Sequence, residues 1–272
     1  MQKNFLWGSS ISGGQCEGGY DSRGETVVDL IPAGKDTRFQ YLDNPGIYMT
    51  RPAGFYPSQK GVEFYEHYKD DIALYAKMGL KALRFSILWS RIFQDDSLTP
   101  QEEGLQFYDR VIDELIKHHI EPIITTIHFD MPVWVVEKYN GFYNKKVVEL
   151  YEHYVKTIVN RYHDRVKYWI SFCEINVMNH ALYMVAGTIV QKGQNRDEIL
   201  HQCAYHQLLA NAILVKVCHE MDDLLKVGCE VAGSRASGIV SIGAVFLIAL
   251  LPEQIARLFM ADAGGEMLEV AV

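Results

Sequence analysis

The sequence contains no C-x-x-C pair, no clustered stretch of Lys and Arg, and no apolar run long enough to cross a bilayer. Its five cysteines (Cys16, Cys173, Cys203, Cys218 and Cys229) are scattered and odd in number, which excludes a disulfide framework and a zinc knuckle as the organising principle. The net charge is −8 with both signs interspersed, so nucleic acid is not expected as a partner. The longest apolar run, Gly238 to Leu251, falls short of the roughly 20 residues a membrane helix needs, and a membrane partner is not expected either. Met1 to Phe5 lacks the apolar core of a secretory leader, and the free-thiol pattern fits a reducing, cytoplasmic home. Ten histidines are present, but the pairs His118/His119 and His201/His206 have poor chelating spacing. Cys203 and His206 share a helix face without an evident third ligand, so no metal or cofactor is expected.

What is present is a chain of 272 residues, 49% hydrophobic, enough for one large α/β domain. Short apolar segments at Phe5–Ser10, Lys81–Ser86, Glu121–Ile127, Tyr168–Cys173 and Lys226–Val231 read as strands. Between them, apolar residues at three-to-four spacing predict helices over 61–78, 105–119, 146–162 and 197–221. Residues 11–60, rich in Gly, Pro, Asp and Tyr, read as a long connection. Strict strand–helix alternation predicts parallel strands with right-handed crossovers. A (β/α)8 barrel and an open doubly wound sheet both satisfy it. No G-x-G-x-x-G follows the first strand, so the barrel is favoured.

The predicted strand ends carry the polar residues. Gln15 and Glu17 follow the first strand, and Arg84 lies in the second, with Trp89 and Arg91 beyond it. His128-Phe129-Asp130 follow the third and Glu174 ends the fourth. In a barrel these ends converge on one mouth. A planar amide, an imidazole and a carboxylate among aromatic side chains suit a polyhydroxylated ligand. Trp89 and Trp134 are the aromatic faces expected to pack on it. A lone strand-end Glu is more often just the start of a loop, and only the company of the other residues changes that balance.

Five segments, in order, resemble glycoside hydrolase family 1, the β-glucosidases and 6-phospho-β-glucosidases. They are Phe5 to Ser10 with Gln15 to Gly18, Phe64 to Ile72, Leu83 to Ile92, Thr126 to Pro132, and Tyr168 to Asn176. The resemblance covers residues 4–233. It implies a retaining glycosidase acting on O-glycosidic bonds by double displacement, with Glu174 as acid/base. It further implies that Gln15 and His128 bind sugar hydroxyls, that Arg84 stands behind the catalytic carboxylates, and that Trp134 forms a nearby wall. Such a mechanism needs a second carboxyl about 5–5.5 Å from the first. Trp169 and Phe172 are expected to give Glu174 an apolar setting that keeps it protonated.

Two departures stand out. The family places Asn before the acid/base Glu, and Cys173 stands there, which predicts a loss of roughly 2–4 kcal/mol in the barrier where the Asn met a sugar hydroxyl. The family's nucleophile lies in a Glu-Asn-Gly segment, and none occurs in these 272 residues. The resemblance therefore implies about five strands of an incomplete barrel, impaired in catalysis, followed by a non-matching tail over 234–272. That tail reads as a frameshifted or rearranged end, or as a hydrophobic docking helix on a natural half-barrel. Exposed barrel edges predict self-association. A non-catalytic sugar-binding or interaction fragment is the alternative function, and a membrane-associated fragment ranks third.

Overall fold

The computed structural model describes residues 6–35, 37 and 45–232; the apolar run at 238–251 and the rest of the tail lie outside these residues. Five parallel strands form one sheet in sequential order, β1 (Gly8–Ser10), β2 (Ala82–Ser86), β3 (Glu121–Ile127), β4 (Tyr168–Phe172) and β5 (Lys226–Gly228). Four long helices connect them: α1 (Phe64–Lys77), α2 (Glu102–Lys117), α3 (Lys146–Tyr162) and α4 (Arg196–Met221). The result is the first part of a (β/α)8-like barrel whose sheet is not closed among the described residues.

The helices form where an apolar stripe coincides with good termini. In α2, Leu105, Tyr108, Val111, Ile112 and Leu115 are buried at three-to-four spacing. Glu102 and Glu103 occupy its first turn and Lys117 its last, each opposing the local end of the helix dipole. For α4, the Asn195 side chain accepts hydrogen bonds from the amides of Asp197 and Glu198, satisfying two otherwise orphaned donors. Shorter helical turns at Gly13–Cys16, Trp89–Ile92, Val133–Tyr139 and Leu182–Ala186 stand where the sequence predicts only loop. They are too short to show a period.

The two faces of the sheet differ. Leu83, Phe85, Ile124, Thr126, Trp169 and Ser171 are buried on the helix side. Thr126 meets the Tyr151 hydroxyl of α3 at 2.7 Å and Ser171 meets Asn211 of α4 at 2.6 Å. On the other side, one register row runs Ser10, Arg84, Ile123, Tyr168, Lys226 across all five strands. Every member of that row is at least partly exposed. A parallel sheet is normally covered on both faces, so this is the barrel's inner face left open.

Trp89 is 1% exposed, stacks on Tyr154 with ring centroids 5.1 Å apart, and meets Trp134 edge-on at 6.0 Å. The Tyr154 hydroxyl donates to the carbonyls of Ile87 and Thr126, tying α3 to the ends of β2 and β3. Two buried ion pairs brace the connection after β1. Arg23 grips Asp29 through two bonds of 2.6 and 2.8 Å, and Arg91 pairs with Glu17. Glu17 also accepts from Tyr108 at 2.7 Å, so each buried charge has a partner.

Gly104 tests how tightly α2 is seated. A Cβ there would lie 2.4 Å from the Arg91 carbonyl oxygen. Helix propensity alone makes Gly→Ala favourable by about 1 kcal/mol. The clash with main chain reverses that sign, and Gly104→Ala is expected to cost about 2 kcal/mol net, read as a lowered urea midpoint. An unchanged or raised midpoint would show that α2 is not held against the Arg91 segment.

Candidate active site

The polar residues gather where the strands end. β1 runs through Ile11 and Ser12 into the turn that carries Gln15, which is exposed and accepts a bond from the Ser12 hydroxyl at 3.0 Å. β3 delivers His128, β4 delivers Cys173 and Glu174, and β5 delivers Glu230. Arg84 reaches across from β2 and joins them. Its Nε donates to Ser10 Oγ at 2.8 Å, one terminal nitrogen pairs with Glu230, and the other lies 3.9 Å from Cys173 Sγ. Cys173 Sγ in turn lies 3.2 Å from His128 Nε2.

Glu174 sits on a strained turn. Its φ is +48° and ψ 49°, the left-handed region, which costs a non-glycine residue about 1–2 kcal/mol. The neighbouring main chain holds it there. Cys173 N donates to Ile127 O at 3.1 Å, and Val177 N donates to Glu174 O at 2.9 Å. From the other side, Glu230 N donates to Phe172 O at 3.0 Å and Ile175 N donates to Glu230 O at 3.2 Å. Asn176 and Ala232 close the bracket with a reciprocal pair of 2.9 and 2.8 Å. Phe129, beside His128, is also left-handed at φ +63°. Strained residues of this kind concentrate at functional sites.

Four expectations need correction. Trp134 is not a wall of the mouth: it is buried, and its indole N–H donates to the Phe93 carbonyl at 3.1 Å. Trp89 is buried beside it, because the turns following β2 and β3 fold both rings inward under α3. Arg91 is not a free basic group near the mouth, since Glu17 holds it inside the protein. Trp169 and Phe172 do not surround Glu174. Trp169 bonds back to Val166 O at 3.1 Å, and Phe172 stacks on Tyr151 at 5.4 Å.

Glu230 is the residue that sequence reasoning missed. Strand five was expected to reach Val231, which buries Glu230 in a ladder position. The strand stops at Gly228, and Glu230 emerges at the mouth. The signal was available: Glu230 follows Cys229 after a short apolar strand, as Glu174 follows Cys173. His206, by contrast, is structural, with its ring bonding the Phe142 carbonyl at 2.7 Å. No metal-binding cluster of His, Cys, Asp or Glu occurs among the described residues.

Burial, reinforced by the Arg84 charge, pushes the His128 pKa down to about 4. Its Nδ1 is buried with no hydrogen-bond partner among the described residues, so the neutral ring keeps one polar atom uncommitted. Burial pushes the Asp130 carboxyl up to about 7, against the bonds it accepts from His128 N and Ser86 Oγ. Burial also raises the Cys173 thiol far above its usual range, with Glu230 acting in the same sense and Arg84 against it. At neutral pH the cluster therefore holds a neutral imidazole and a protonated thiol beside an ion pair.

The two shifts oppose each other in stability, each on the order of 3–4 kcal/mol. The lowered His128 pKa contributes stability above about 6.5 that is lost as pH falls through about 4. The raised Asp130 pKa contributes stability below about 3.8 that is lost as pH rises through about 7. Relative to the parent chain, Asp130→Asn should make acidification from pH 7 to pH 5 more damaging, and His128→Gln less so. Urea midpoints at the two pH values check this; shifts of the same sign in both variants would contradict it.

The model of glycosyl hydrolase family 1 matches residues 1–239. The 6-phospho-β-glucosidase AscB of Escherichia coli is 41% identical over 236 residues, covering 86% of this chain and 50% of that protein. The aryl-phospho-β-D-glucosidase BglH of Bacillus subtilis is 42% identical over 243 residues, covering 88% and 50%. The family 1 β-glucosidase of Thermotoga maritima superimposes with a TM-score of 0.68 at 27% identity, covering 84% of this chain and 48% of that one. The chain thus spans about half the length of the relatives it matches. It belongs to glycosyl hydrolase family 1.

Proposed function

We propose that this chain carries the acid/base half of a retaining β-glycosidase site for β-glucosides bearing a 6-phosphate. The observation that carries the reading is the presentation of Glu174 on a held, left-handed turn beside His128 and the Arg84–Glu230 pair. The phosphorylated substrate class is supported by the names of the relatives at 41–42% identity, all phospho-β-glucosidases.

In this reading Glu174 protonates the glycosidic oxygen as the leaving group departs, then takes a proton from the water that completes hydrolysis. Gln15 and His128 hydrogen-bond sugar hydroxyls. Cys173 gives the sugar little, because its thiol faces His128. No Glu-Asn-Gly segment occurs in the sequence, so these residues alone do not complete the covalent step. The open inner face further leads us to expect self-association.

External formate tests this directly. At molar concentration it can attack the anomeric carbon in place of a protein carboxylate, leaving an inverted glycosyl formate, while Glu174 protonates the departing aglycone. We expect an aryl β-glucoside 6-phosphate with a poor leaving group to be cleaved at the buffer rate by the chain alone. Formate should raise this at least tenfold, and Glu174→Gln should abolish the rise. His128→Ala should weaken calorimetric binding of the same ligand about tenfold. Formate-independent turnover lost in Glu174→Gln would overturn the impairment. Binding with no formate effect would favour the non-catalytic sugar-binding alternative, and no heat at millimolar ligand would overturn both.

A further inference from the structure

Among the residues at the mouth, Glu230 has the most contacts that no proposed catalytic role explains. Its carboxylate pairs with Arg84, the guanidinium that already bonds Ser10 on β1 and approaches Cys173 at the end of β4. Its main chain donates to Phe172 O and accepts from Ile175 N, one bond on each side of Cys173 and Glu174. Two residues on, Ala232 exchanges bonds with Asn176. One short segment beyond β5 thus grips the Glu174 turn by its backbone and the Arg84 fork by its side chain.

We propose that Glu230 is a positioning residue: it fixes Arg84 and the Glu174 turn in one arrangement, and by pairing with Arg84 it keeps the Cys173 thiol unreactive. The thiol is flanked by four titratable or charged groups, His128 from β3, Arg84 from β2, Glu174 next in sequence and Glu230 from β5. Neutral His128 supplies no charge. Arg84 alone would favour a thiolate, as cations near cysteines do. Burial acts most strongly against a thiolate, and Glu230 adds to it by cancelling the Arg84 charge. Removing its charge while keeping its shape leaves Arg84 facing the sulfur unopposed.

This inference rests on the glycosidase reading only for what Glu174 does. Its test needs no turnover, so the two fail separately. Alkylation by iodoacetamide is followed at each cysteine by peptide mass spectrometry on the full chain, from pH 6 to pH 10. In Glu230→Gln, Cys173 should react at least tenfold faster at pH 8, with its pH profile displaced toward acid. Cys203 and Cys218, buried elsewhere, should stay at parental rates. Glu230→Asp should return Cys173 to within threefold of the parent. A Cys173 rate within twofold of the parent in Glu230→Gln, with Cys203 and Cys218 protected, would overturn the proposal. If Glu230→Gln opens Cys203 and Cys218 as well, Glu230→Asp decides. Cys173 as slow as in the parent upholds the proposal, and Cys173 fast with the other two protected overturns it.

Discussion

The Arg84 guanidinium, paired with Glu230, is the interaction on which the mouth depends. A parallel sheet gives its strands a common direction but leaves their ends as separate loops. Arg84 gathers four of them, touching Ser10 at the end of β1, Cys173 after β4 and Glu230 after β5 from its own place in β2. A planar fork with five donors is suited to this in a way that a lysine is not. The pair is only partly exposed, 16% and 32% at the two side chains, so solvent screens it less than a surface bridge.

That placement also sets the chemistry of the neighbours. A cation beside His128 and a desolvated surrounding keep the imidazole neutral, and a neutral imidazole can exchange hydrogen bonds with hydroxyls rather than hold a proton. The strain at Glu174 is offset by main-chain bonds from β3 and from the segment beyond β5. Its carboxyl is therefore presented by the sheet rather than by a loose loop. Positions set by strand ends are well defined, which is why barrel enzymes build their sites there.

Much of the architecture was legible because it is periodic. β3 and α3 have the bounds expected from their apolar pattern, and the other long elements differ by a few residues at their ends. Those ends depend on caps and on register, which a period does not encode. Gln15, His128, Arg84, Cys173 and Glu174 were expected at the strand ends, and four of them surround one cluster or adjoin it. Trp134 and Trp89 were misplaced because an aromatic ring satisfies a core and a sugar face equally well. Only packing against Tyr154 and a bond to the Phe93 carbonyl distinguish the two. Glu230 was missed because Val227 to Val231 reads as continuous strand. The strand ends early where Cys229 and Glu230 turn to meet Phe172 and Ile175 of the neighbouring segment.

Arg84 and Glu230 act as one unit that holds the mouth together. A double-mutant cycle on unfolding free energy tests this most directly, using Arg84→Met, Glu230→Gln and the two combined. The expected coupling is about 1–2 kcal/mol, the range for a partly buried, charge-assisted pair. Additivity within about 0.3 kcal/mol would mean that the two residues only lie side by side and do not hold the mouth as a unit.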